Sequence, residues 1–116
     1  MILKFCSLFS GSSGNASYIG TDKTHILIDA GLACRTIEKA MKEIGLTPST
    51  LDGILITHEH DDHIRGAGVV SRKYNVPIYA NQETWQAMED KIGDISNSNI
   101  RIFDNNMDFY IKDINI

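Results

Sequence analysis

Residues 53–57 read Gly-Ile-Leu-Ile-Thr, and the next six read His-Glu-His-Asp-Asp-His. A short, nearly unbroken apolar run lacks the alternation of a strand with one wet face. It fits a β-strand buried on both faces, in a sheet covered by helices. The chain passes from it straight into ligating groups: His58, His60 and His63, three of its four histidines, fall within that hexapeptide. A strand sealed on both sides that ends in imidazoles and carboxylates demands a layered fold with a functional loop at the sheet's edge.

The flanks agree with such a fold. Residues 2–9 are rich in apolar and aromatic side chains and read as a strand. Residues 10–15, Ser-Gly-Ser-Ser-Gly-Asn, must form a loop. Residues 16–20 and 25–29 read as strands joined through the polar turn 21–24, a β-hairpin. The period then changes. Ile37, Met41 and Ile44 fall on one face of a helix over residues 35–44, with Glu38 and Lys42 paired on the polar side and Gly45 placed to end it. Residues 64–74 read as a helix weakened in its first turn by Gly66 and Gly68. Residues 76–80 form a further strand, and Asn81 is a good N-cap for a helix over 82–92. On that helix Trp85, Met88 and Ile92 share a face that reads as core. Residues 100–103 and 109–116 read as strands. Strand and helix alternate from residue 25 to residue 80, an α/β pattern in one domain. The chain stops within an apparent strand, so residues 1–116 are expected to be the N-terminal portion of a longer domain.

An apolar fraction of 42% suffices for a packed core and excludes a disordered chain. A net charge of −4 offers no basic footprint for nucleic acid, although bound divalent ions would add positive charge. Cys6 and Cys34 make no disulfide framework and are expected as buried, reduced thiols. No apolar run is long enough to span a bilayer, and the first residues lack the basic leader of a secretory signal. The expectation is a cytoplasmic protein without a membrane segment.

The hexapeptide can be read as chemistry. Neutral imidazole is the commonest biological ligand for zinc-like ions, and carboxylates extend the choice to manganese. While the chain stays extended, His58 and His60 lie on one side and can grip one ion. As it turns into the next helix, Asp62 and His63 swing towards a different point. One loop thus offers donors for two adjacent divalent ions, zinc or manganese. The helical metalloprotease pattern His-Glu-x-x-His fails, because position 62 is Asp. His25, the remaining histidine, is expected at the surface or at a sheet edge. Asp29, at the end of a buried strand, either orients a ligand imidazole or caps local backbone amides. Ser12, Ser13 and Asn15 either receive a phosphate or belong to a turn chosen for its glycines. Arg65, Arg72 and Lys73 read as a solvated helix face, with Arg65 near enough in sequence to meet an anionic substrate.

His58-Glu59-His60-Asp61-Asp62-His63 matches the His-x-His-x-Asp-His motif of the metallo-β-lactamase fold. Ile26-Leu27-Ile28-Asp29-Ala30-Gly31 and Gly53-Ile54-Leu55-Ile56-Thr57 resemble the strands that precede the first helix and deliver the motif. With the loop at residues 10–15 and the segment 74–80, the chain resembles the WalJ-type branch of that family, bacterial cytoplasmic DNA exonucleases, from about residue 3 to residue 85. The resemblance implies an αββα sandwich of which this chain is the N-terminal half. It implies that His58 and His60 bind one ion and that Asp62 and His63 bind the other. It implies that Asp62 assists a hydroxide shared by the ions in attacking a phosphodiester of DNA, or of RNA. The family draws a further histidine for each ion and a bridging acid from later in the chain, and no histidine follows His63 here. The 116 residues alone are therefore expected to be inactive. Two other readings stay open: hydrolysis of a small ester, thioester or lactone at the same metal site, and a non-catalytic module that pairs with a second copy of itself, a homo-oligomer.

Overall fold

The computed structural model describes residues 2–116. Six strands form one mixed sheet in chain order: β1 (Lys4–Phe9), β2 (Ala16–Gly20), β3 (His25–Ile28), β4 (Gly53–Leu55), β5 (Ile78–Asn81) and β6 (Ile100–Phe103). β1, β2 and β3 pair antiparallel, so tight connections suffice between them. β3 to β6 pair parallel, and each parallel step needs a crossover. The crossovers are α1 (Cys34–Glu43), then α2 (Asp61–Ile64) with α3 (Ala67–Tyr74), and α4 (Gln82–Ile92).

The inner parallel strands, β3 to β5, are covered on both faces, as the apolar run at residues 53–57 requires, while β6 at the edge is largely exposed. Leu27, Ile54 and Ile78 stand in one row across β3, β4 and β5, all with no solvent exposure. They meet Ile37 and Met41 of α1, Val70 of α3, and Trp85, Met88 and Ile92 of α4. On the opposite face Ile26, Leu55 and Tyr79 pack against Phe109, Ile111 and Ile114. Those residues belong to a small hairpin, β7 (Tyr110–Ile111) and β8 (Ile114–Asn115).

Several boundaries differ from the sequence-based expectation, each for a local reason. The helix expected over residues 64–74 is split. Gly66 breaks away to donate its N–H to Ala30 O (2.8 Å), and a Cβ there would stand 2.0 Å from Leu32 O. The first part of the split, α2, carries Asp61, Asp62 and His63. The strand expected over 109–116 folds back on itself at Lys112, whose φ is +51°. The strand expected over 25–29 ends at Ile28, because Asp29 takes the left-handed conformation with φ +65°. The ladder of β4 ends at Leu55, although Ile56 N still donates to Tyr79 O at 2.9 Å. Ile44, expected on the buried face of α1, is exposed at its C-terminal end. Cys6 and Cys34 are free, and each is half-buried rather than sealed in the core. Among the described residues no helix is long and apolar enough to cross a membrane.

A carboxylate ties the β7–β8 hairpin to the β2–β3 turn, beside the hairpin's apolar contacts and Lys112, whose Nζ reaches Lys23 O (3.3 Å) and Asp52 Oδ1 (2.9 Å). Asp113 accepts hydrogen bonds from the Thr24 hydroxyl and from Thr21 Oγ1 (3.0 and 3.1 Å) in the β2–β3 turn. The Thr24 bond, aided by Thr21 and opposed by burial, holds the Asp113 carboxyl below its ordinary value. A carboxyl with a lowered native pKa stabilises at neutral pH, weakens as pH falls through about 4, where a free aspartate titrates, and gives nothing below its native value. Amide exchange at Ile116, whose N–H donates to Phe109 O, is therefore expected to accelerate below about pH 4 beyond its intrinsic pH dependence. In Asp113→Ala it should be fast across the whole range.

Candidate metal centre

The cluster is built where the parallel strands end. After Leu55 the chain leaves the sheet, and Thr57 is caught by Asp29, the residue that follows β3. Asp29 Oδ1 accepts from Thr57 N (2.8 Å), and Asp29 Oδ2 accepts from Thr57 Oγ1 (2.6 Å) and from His63 Nδ1 (2.7 Å). Asp29 N in turn donates to Leu55 O (2.8 Å). A carboxylate that is 5% exposed needs partners of this kind. Asp29 thus does both things considered from sequence, capping a backbone amide and orienting an imidazole.

The network assigns the tautomers. His63 gives its Nδ1 proton to Asp29, which leaves the Nε2 lone pair free. Thr57 gives its hydroxyl proton to Asp29, so its oxygen accepts from His58 Nδ1 (3.0 Å), and Nε2 of His58 is also left as an acceptor. One buried carboxylate orients both rings, the second through a threonine. The His58 and His63 ring centroids are 4.8 Å apart, and those of His58 and His60 are 6.1 Å apart with planes inclined by 22°. His60 lies at the outer rim, its side chain 70% exposed.

Asp62 faces His63, with Oδ2 standing 3.7 Å from His63 Nε2. Two donors each about 2.0–2.2 Å from one ion are separated by about 3.3–4 Å at tetrahedral or wider angles, so this pair fits one ion. Imidazole nitrogen and carboxylate oxygen suit zinc or manganese. Among the described residues no group of three or more His, Cys, Asp or Glu side chains closes around a single point. The donors fit in type, and Asp62 with His63 supplies half of one coordination shell.

The other residues singled out in the sequence fall as follows. Ser12 and Ser13 are exposed in the loop between β1 and β2, and Ser13 O accepts from Arg65 Nη1 (3.2 Å). Asn15 turns its side chain inward, to Asp62 and to Gly11. Lys91 of α4 approaches the outer side of the motif, 3.4 Å from Glu59 O and 4.0 Å from Asp61 Oδ1. His25 lies at the far end of β3, half-buried rather than at the surface, with Nδ1 2.5 Å from the Tyr18 hydroxyl. Arg65, Arg72 and Lys73 are exposed, as expected of a solvated face; Lys73 also binds Glu38 of α1 at 2.7 Å, and Arg72 Nη1 donates to Ile92 O at 2.7 Å. Sequence reasoning passed over Thr57 and the inward turn of Asn15. For Thr57 a signal existed: a hydroxyl placed between a buried strand and the first histidine.

Residues 10–113 match the Metallo-beta-lactamase superfamily. The exodeoxyribonuclease YycJ of Bacillus anthracis is 50% identical over 103 residues, covering 89% of this chain and 39% of that protein. The exodeoxyribonuclease WalJ of Streptococcus pneumoniae is also 50% identical over 103 residues, 87% of this chain and 38% of that protein. The chain therefore spans about two fifths of the length of these relatives. A B3 metallo-beta-lactamase with an active-site glutamic acid superimposes with a TM-score of 0.78 at 20% identity, over 96% of this chain and 47% of that one, a likeness of fold. What the chain carries is an N-terminal half of that fold, the six-stranded sheet with its helices and the small β7–β8 hairpin.

The motif turn is also clamped through backbone contacts at Gly31. A Cβ on Gly31 would lie 1.7 Å from Asp62 O and 2.9 Å from Asn15 N. Neither atom can give way without moving the loop. Gly31→Ala is expected to cost about 3 kcal/mol, read as a lower urea midpoint with an unchanged slope.

Proposed function

Because the chain belongs to the metallo-beta-lactamase superfamily, we propose that residues 1–116 are the N-terminal portion of a single two-metal hydrolase domain whose full-length protein cleaves phosphodiester bonds in DNA from an end. The reading rests on one observation above all. Two imidazoles are oriented by a single buried carboxylate so that their Nε2 lone pairs stay free, and one of them faces a second carboxylate at 3.7 Å. The names of the two relatives at 50% identity support DNA as the substrate and an exonucleolytic mode.

In this reading His58 and His60 hold one ion, and Asp62 and His63 hold the other. Zinc or manganese, when bound, supplies Lewis acidity towards phosphate oxygens and a water of lowered pKa. The residues of this chain supply the rest. Asp29 keeps both rings in the ligating tautomer. Asp62 presents one oxygen to His63 and keeps Oδ1 to accept a hydrogen bond from the attacking water. Arg65, exposed beside the loop at residues 10–15, faces solvent where a phosphate backbone would approach. The site would work in the cytoplasm.

Replacing Asp62 removes a ligand while its backbone contacts stay. Asp62→Ala in the full-length protein is expected to lower nucleotide release from end-labelled DNA, with manganese or zinc present, on the order of 10³-fold or more. The melting temperature of the metal-free protein should change little. Thioesters and lactones assayed beside the DNA test the small-ester reading: turnover of those substrates without nucleotide release would favour it and defeat the nuclease assignment.

A further inference from the structure

The loop between β1 and β2 has small residues at positions 10–14 and then Asn15. Gly11 takes φ +137° with open space around it, while Gly14 has a packing reason. At Gly14 a Cβ would stand 2.6 Å from Leu32 Cγ and 2.9 Å from Gly31 O, so the loop lies directly against the segment that follows β3. Asn15 then joins three segments through its backbone: its N–H donates to Asp62 O (2.8 Å), and its carbonyl accepts from Gly31 N (2.9 Å).

The side chain continues the pattern. Asn15 Oδ1 accepts from Gly11 N (3.2 Å), while Nδ2 donates to Gly11 O (2.9 Å), Asp62 Oδ2 (3.1 Å) and Asp62 O (3.3 Å). The environment decides which atom is nitrogen. Three acceptor oxygens surround Nδ2, and a flipped amide would set an oxygen against all three. One Nδ2 hydrogen serves Gly11, and the other is shared between the carbonyl and the carboxylate of Asp62. The amide is thus occupied within the protein, aimed at the carboxylate that faces His63.

We infer that Asn15 is a positioning residue for the Asp62–His63 ion site, an inference that rests on the metal reading above. The terminal torsion of an aspartate is broad, so an unsupported Asp62 carboxylate would sample many orientations. The Asn15 hydrogen bond takes up one lone-pair direction of Oδ2. Oδ2 is also the oxygen 3.7 Å from His63 Nε2, and its other lone pair is left for the ion. The pair is held from both ends: the imidazole by Asp29 and the carboxylate by Asn15. The tie that orients His58 runs through Thr57 and Asp29 and does not pass through Asn15. Removing the amide should therefore damage one ion site and spare the other. A purely structural role, or a phosphate-binding role for the loop, predicts something else.

The test strips the full-length protein of metal and titrates it with zinc against a chromophoric chelator, and separately with cobalt(II), followed by its visible absorption. Asn15→Ala and Asn15→Ser are compared with the unmodified protein. The serine variant retains a hydroxyl for the loop but cannot reach Asp62. The unmodified protein is expected to bind two ions. In both variants one ion should keep its affinity and the other should weaken about 10–100-fold, the range for lost support of a metal ligand. The cobalt absorption of the weakened site should change, and the metal-free melting temperature should hold within a few degrees. Variants that bind both ions as tightly as the unmodified protein, with unchanged spectra, would overturn the inference. So would an equal loss of both ions accompanied by a drop in metal-free stability, or a raised KM for DNA with intact metal binding. If the unmodified protein takes up no metal, the metal reading itself fails, and this inference with it.

Discussion

The inner parallel strands of this protein, β3 to β5, are covered on both sides, and most of its other features follow from that. Leu27, Ile54 and Ile78 are sealed beneath the helices, while Ile26, Leu55 and Tyr79 face the other way against the small hairpin. A strand in that position has no wet side, so it tolerates almost no polar residue along its length. Polar chemistry is displaced to the strand's end, where the chain leaves the sheet and backbone groups lose their ladder partners. The concentration of imidazoles and carboxylates directly after β4 is the counterpart of the absence of polar side chains within it.

At that edge the groups that could bind ions are organised by others that do not. Asp29 accepts three hydrogen bonds and so couples the end of β3 to Thr57, two residues beyond β4, and to His63 in α2. Asn15 reaches the same turn from the opposite side. Backbone hydrogen bonds from Asn15, Ala30, Gly31 and Gly66 weave residues 15, 30–31 and 62–66 into one unit. His60, by contrast, stands at the solvent edge. The motif is therefore most densely tied around Asp62 and His63.

The amount of this that was legible in the sequence varied with the range of the interactions. The strands at 16–20 and 100–103, and the helix at 82–92 with its Asn81 cap and its Trp85–Met88–Ile92 face, were readable because their signals are local: periodicity, capping and burial within one element. The hexapeptide was readable because three histidines in six positions have few bland explanations. The breaks were harder. Gly66 interrupts a helix because a carbonyl from residue 30 waits for its N–H, a contact across 36 positions. Asn15 binds Asp62 across 47 positions, and nothing in a loop of serines and glycines shows where its amide will point. Ile44 has the right spacing for the core but caps the C-terminal end of α1 and stays exposed. For Gly66 and Asn15 the decisive partner lies far away in the chain, beyond the reach of a periodicity argument.

Asp29 answers two unrelated demands at once. Its backbone sits at φ +65°, a region that glycine, asparagine and aspartate enter readily and longer side chains resist. Its side chain must accept hydrogen bonds at both oxygens, from Thr57 and from His63, a task suited to the carboxylates of aspartate and glutamate. The two sets of admissible residues overlap in a single member. Asparagine would satisfy the main chain and forfeit the anion; glutamate would keep the anion and force the main chain into a costly shape. Position 29 is thus a chemical bottleneck, with a tolerance for replacement narrower than that of the ligands it serves.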